Sequence, residues 1–192
     1  MKITGFALVS SLFAFVPGVL YGADSAPLLK QFIETDLARI AASPEIVAAI
    51  RERNLVTSAF TADQIAAADQ AWKSELGQGE MPTVTPIVTS AASAMLRAEV
   101  VASNGLIAEV FVMDAMGLTA AASDPTSDFW QGDEAKFIET FGKGAGSYLI
   151  GAVEFDDSTQ TYSAQVSAVV LDPDTGAPIG AITSSVNAEF LD

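Results

Sequence analysis

The sequence predicts an α+β fold: a five-stranded antiparallel sheet with a long N-terminal helix and additional helices packed on it. Three observations predict it. Apolar residues recur at helical spacing up to Gly105 and in alternating or continuous runs after it. The five runs after Gly105 are parted by turn sequences and one short helical stretch. Half of the 192 residues are hydrophobic, enough for a sizeable core.

In the helical half, Leu29, Phe32, Ile33, Leu37 and Ile40 form one stripe between Pro27 and Asn54. Ser43-Pro44-Glu45 interrupts and restarts it, with Ser43 as cap, Pro44 in the first turn and Glu45 favouring the dipole. Ile46 and Ile50 continue the stripe, so a long helix, or two in series with a kink, is expected. Thr61-Ala62-Asp63-Gln64 reads as a capping box, opening a helix through Leu76 that Gly77 and Gly79 end. Thr85-Pro86 is expected to start one more helix, through Ala98, stopped by Asn104-Gly105.

Strands are expected at 107–114, 118–123, 147–155, 161–171 and 178–186, with a short helix at 133–141. Asp156-Asp157-Ser158 and Asp172-Pro173-Asp174-Thr175-Gly176 are turn sequences. The second superficially resembles part of a calcium loop but lacks the downstream acidic ligand. An antiparallel sheet needs cover on at least one face. The N-terminal helices can supply one cover, and the loop with the short helix the other, leaving a cavity between sheet and loop.

Composition narrows the function. The chain contains neither histidine nor cysteine, so it cannot build a Ser-His-Asp or Cys-His nucleophile or the usual zinc sites. No catalytic residue, metal ligand or cofactor is assigned, and the protein is not expected to be an enzyme. Nine basic residues against 24 acidic ones give a formal charge of -15, which disfavours nucleic acid and anionic lipid as partners. Lys2, the apolar run Ile3 to Leu20 and Tyr21-Gly22-Ala23 read as a secretory signal peptide, residues 1–23, cut near Ala23. The alternative, an uncleaved anchor, is weakened by Pro17 and Gly18 inside a span that is marginal for a bilayer. Residues 24–105 would then be the helical segment and 106–192 the sheet of one periplasmic or secreted domain, with no stable membrane insertion after cleavage.

Particular motifs go further. Val112-Met113-Asp114-Ala115-Met116-Gly117-Leu118 resembles a hairpin of Cache sensor domains, which are PAS-like. Ser123-Asp124 and the stretch from Thr126 to Lys136 are similar to the pocket loop of that family. Val169 to Asp172, Thr175-Gly176 and Ile179-Gly180-Ala181-Ile182 resemble its last hairpin, and Ala49 to Asn54 its long first helix. The resemblance implies a PAS-like five-stranded sheet and an extracytoplasmic small-molecule sensor of the single-Cache type. The ligand would be a small polar molecule such as an amino acid, amine or carboxylate. The chain ends just after the last strand, so the expected role is to pass its state to a separate partner, such as a membrane receptor or kinase in trans. The alternative is a structural or protein-interaction module with the same fold and no ligand.

The expected pocket has the 126–136 loop closing over the sheet. Phe129 and Trp130 are either a hydrophobic lid anchor or a pocket wall, and the roles are compatible. Asp133 is the candidate anchor for a ligand ammonium, Glu134 is read as a helix cap, and Lys136 as pointing to solvent. By strand alternation Gln165, Ser167 and Thr183 share a face and form either the pocket floor or a solvated outer surface. Tyr148 is placed within reach from the third strand.

Overall fold

The computed structural model describes residues 25–156 and 161–191. The expected leader, and Asp157-Ser158 of one expected turn, lie outside the described residues. Within them, no helix is long and apolar enough to cross a membrane.

The first stripe folds as α1 (Ser25–Phe32), a π-helical turn (Ile33–Leu37) and α2 (Ala38–Ala41), and α3 (Pro44–Thr57) restarts after a break. Ser43 takes the extended N-cap conformation, yet its side chain makes no capping bond and its hydroxyl is buried without a partner. Backbone geometry and Pro44 in the first turn therefore start α3, not the expected cap. The capping box before α4 (Ala62–Glu75) forms with both of its hydrogen bonds. The single helix expected from Thr85 is two: α5 (Val84–Val88) and α6 (Ala91–Ala102). Ser90 separates them because its extended backbone ends one helix while its hydroxyl caps the other by accepting from the Ser93 amide. Asn104 and Gly105 both adopt positive φ and stop α6, as expected.

Five strands follow: β1 (Ile107–Asp114), β2 (Thr119–Ala122), β3 (Tyr148–Asp156), β4 (Thr161–Leu171) and β5 (Pro178–Asn187). They form the expected PAS-like antiparallel sheet in the order β2-β1-β5-β4-β3. The expected short helix shrinks to α7 (Ala135–Ile138) and a 3-10 turn (Phe141–Lys143). The order puts the first and last strands side by side in the middle and leaves β3 as one edge.

Alternation divides the side chains between two covers. Val110, Val112, Val166, Val170, Ile182 and Val186 pack with Ile40, Ile46, Ile50 and Leu96 in the main core. Phe111, Met113, Ala122 and Ala181 point the other way, against Phe137 and Phe141. Both faces are covered, so the polar face of β4 and β5 is not a solvated surface: Ser163, Ser167, Thr183 and Ser185 are all buried.

One stretch of α3 ties two sheet turns to the helical layer. The Asn54 amide nitrogen donates to the Ile179 carbonyl, while its oxygen accepts from the Ala115 amide. Asp114, fully buried, accepts from the Met116 and Leu118 amides and from the Thr57 hydroxyl. Arg51 donates to Asp172 and Asp174 in the β4–β5 turn, and Asp172 also accepts from the Asp174 and Thr175 amides. Three stretches singled out in the sequence, Ala49 to Asn54, the Asp114 turn and the β4–β5 hairpin, are thus partners in one clamp.

Candidate functional site

The loop after β2 is held by α4. One Asp69 carboxylate oxygen accepts from the Phe129 and Trp130 amides at 2.9 and 3.0 Å. The Trp72 indole donates to the Thr126 carbonyl at 2.7 Å. Lys73 bridges Asp69 and Asp128, and its ammonium holds the Asp128 carboxyl below the usual carboxylate range. Those bonds turn the loop's aromatic side chains toward the helices. Phe129 is buried and stacks on Trp72 with ring centroids 4.9 Å apart. Trp130 donates from its indole to the Met116 carbonyl at 3.0 Å and packs in the same cluster with Leu118. The structure therefore places Phe129 and Trp130 as anchors of the loop, outside the cavity described below, and the loop as a fastened segment rather than a free lid.

Two glycines let the loop return to the sheet. At Gly117, whose φ is +78°, a Cβ would lie 2.5 Å from the Gly132 Cα, and a Cβ at Gly132 would strike the Trp130 indole. Gln131, 2% exposed, donates from its amide nitrogen to the Asp128 carbonyl. Its oxygen accepts from the Lys136 ammonium at 3.0 Å. Lys136, expected in solvent, is turned inward: its side chain is 13% exposed and its ammonium sits 5.3 Å from the centre of the Phe111 ring. Glu134 occupies the N-cap position of α7 but makes no capping bond, and it pairs with Lys136 at 3.0 Å instead. Asp133 is exposed, one residue outside that pair.

Beyond Lys136, Phe137 and Phe141 stack on each other and close the centre of this face over Phe111, Met113 and Ala181. Ser167 and Thr183 lie on the same face, wholly buried, with their hydroxyls 2.9 Å apart. One of the two hydroxyls donates to the other.

The face stays open at the β3 edge. A cavity of about 450 Å³ lies there, between the start of α7 and strands β3 and β4. Glu134, Lys136, Glu154, Ser163 and Gln165 supply its polar groups, and Leu149 and Ala152 part of its apolar wall. Of the expected ligand-binding residues, Gln165 lines this cavity. Tyr148 does not lie on the cavity's face, because it pairs in register with Ala168 and shares its strand face with Ile150, both on the helix-side core. Lys136, Glu154 and Ser163 were missed. The signal for Ser163 and Glu154 was present, since alternation puts Ser163 beside Gln165, and Glu154 is its register partner. The inward turn of Lys136 had no local signal.

Among the described residues, no cluster of acidic side chains is arranged to hold a metal ion. Asp114 is buried and Arg53 half-buried. Burial raises the Asp114 carboxyl and lowers the Arg53 guanidinium from their ordinary values, and each opposes the other's shift by its charge.

No family model matches the chain, and no curated protein sequence matches it. Solved structures with a similar arrangement include the ligand-binding domain of the Campylobacter jejuni chemoreceptor Tlp3 in complex with 4-methylisoleucine. It has 13% identity and a TM-score of 0.42, with 89% of this chain and 63% of that chain covered. The ligand-binding domain of the Pseudomonas fluorescens chemoreceptor CtaA in complex with L-serine has 12% identity and a TM-score of 0.39, covering 83% and 63%. The sensor domain of the Vibrio cholerae histidine kinase DctB has 13% identity and a TM-score of 0.36, covering 86% and 58%. The chain thus spans 58% to 63% of the length of these three domains.

Proposed function

We propose that this chain is a Cache-like sensor domain of the exported space that binds a small polar molecule, such as an amino acid, amine or carboxylate, between α7 and the β3–β4 edge. The observation that carries the reading is the contrast within one sheet face. Its centre is sealed by Phe137 and Phe141, while its β3 edge holds a cavity with Lys136, Gln165 and Ser163 in its wall. Convergent polar groups around a cavity of this size suit a small ligand and few other occupants. The bound state would reach a separate partner, a membrane receptor or kinase, through α7, whose aromatic plug rests on the sheet.

The sealed centre also favours a second reading, a structural or interaction module without a ligand. One experiment separates them. Mass spectrometry of the protein purified from its native source, under non-denaturing conditions, should show a small bound molecule. The same molecule should raise the melting temperature of ligand-free protein, and Gln165→Leu should reduce that rise. A ligand at about 100-fold over its dissociation constant stabilises by about 2.7 kcal/mol. No bound molecule, and no stabilisation across a panel of amino acids, amines and carboxylates, would leave the structural reading.

A further inference from the structure

The cavity carries its own carboxylate at its own ammonium. Lys136 is the only basic side chain among the residues that line it. Its position is set from behind, by the Gln131 side-chain amide oxygen at 3.0 Å and the face of the Phe111 ring, and the Gln131 side chain is itself pinned by donating to the Asp128 backbone carbonyl. The Lys136 side chain is 13% exposed, against 40% for Glu134. The ammonium is therefore fixed and largely desolvated, while the carboxylate that meets it at 3.0 Å stands half in water. Glu134 makes no cap bond to α7 that would hold it there.

We propose that Glu134 is a built-in competitor at Lys136, and that the ligand of this cavity is a monocarboxylate-bearing small molecule that takes its place. The inference rests on the sensor reading above. A ligand carboxylate gains a preorganised ammonium in a partly dehydrated site, where a charge-assisted hydrogen bond is stronger than at the surface. It displaces a half-exposed ion pair, which holds its partner weakly. Glu154 also lines the cavity and disfavours a second negative charge, so a dicarboxylate should bind more weakly than a monocarboxylate. Displacement also frees Glu134 at the start of α7, the element whose aromatic plug packs on the sheet. Occupancy is thus converted into a change at α7.

The test uses the full chain and four probes by titration calorimetry at matched ionic strength: acetate, L-alanine, L-alaninamide and succinate. Acetate and L-alanine should bind the wild type at millimolar concentration or better, and succinate more weakly. Glu134→Gln should tighten acetate and L-alanine by about 1.5-fold to fivefold, the range expected for removing a weak competing ion pair. Lys136→Met should weaken both at least tenfold, with Lys136→Gln as a second variant should the first not fold. The affinity for L-alaninamide should follow neither change. Unchanged or weaker carboxylate binding by Glu134→Gln overturns the proposal, as does wild-type affinity in a folded Lys136 variant. If L-alaninamide binds as well as L-alanine, and Gln165→Leu weakens both, the sensor reading stands and this proposal falls. If no probe binds any variant, this proposal falls, and the native-ligand measurement decides the sensor reading separately.

Discussion

A single oxygen of Asp69 accepts from two successive amides of the loop after β2, and the other oxygen meets Lys73. That arrangement orients Phe129 and Trp130 toward the helices. Asp69→Ala should therefore act on stability rather than on ligand contacts. Losing a part-buried acceptor for two amides should cost about 1–3 kcal/mol in urea unfolding. Trp130→Ala should also lower stability, by about 2 kcal/mol, less than the ~3–5 kcal/mol of a wholly buried aromatic. Neither change should alter the affinity of a molecule bound at Gln165 by more than about twofold, since both residues lie outside that cavity. A large affinity loss in Trp130→Ala, with unchanged stability, would restore Trp130 as a pocket wall. From the sequence, two aromatics in a polar loop next to acidic residues fitted both roles. Only the Asp69 carboxylate, 60 residues upstream, decides between them.

At the scale of elements, the helix starts show which local signals suffice. Thr61 and Gln64 form a reciprocal pair within one turn, and the sequence announces it without help. Thr61→Ala should cost about 1 kcal/mol, read as a lower melting temperature with the fold intact. Ser43 carries the same kind of signal, yet its hydroxyl makes no cap bond, because Pro44 and the packing of Ile46 and Ile50 already fix the turn. Ser43→Ala should therefore be neutral or slightly stabilising, since it removes a buried hydroxyl without a partner. The break at Ser90 escaped the sequence reading because Thr85-Pro86 and Ser90 are competing start signals five residues apart. The Ser93 hydroxyl, bonded to the Ile87 carbonyl and the Ala122 amide, settles the competition through the sheet.

At the scale of the whole molecule, long-range ion pairs tie distant segments together, among them Arg39 with Glu99, Arg51 with Asp172, and Lys73 with Asp128. In each, the basic partner lowers its carboxyl below the ordinary value. A lowered folded value means that this stability is present above the unfolded carboxylate range, about pH 4, and is lost as pH falls through the folded values. Arg51→Met should thus destabilise most near neutral pH. Its difference from the wild type should shrink as the pH drops below about 4, in urea titrations at a series of pH values. A difference that is constant with pH would mean that Arg51 acts through its aliphatic stem alone.

The layout of strands, the change of period at Gly105, and the division of β4 into an apolar and a polar face all follow from side-chain alternation and turn chemistry. These are interactions over a few residues, and a sequence displays them directly. The position of the cavity does not follow from them. Gln165, Ser167 and Thr183 are equivalent by alternation, yet α7 and its Phe137–Phe141 plug seal two of them and leave Gln165 at the open edge. Lys136 turns inward because Gln131, earlier in the same loop, offers its ammonium an acceptor and Phe111 of β1 a ring face. Which polar groups a ligand can reach thus depends on contacts between distant segments, whose geometry exists only once the sheet, α4 and α7 have packed together.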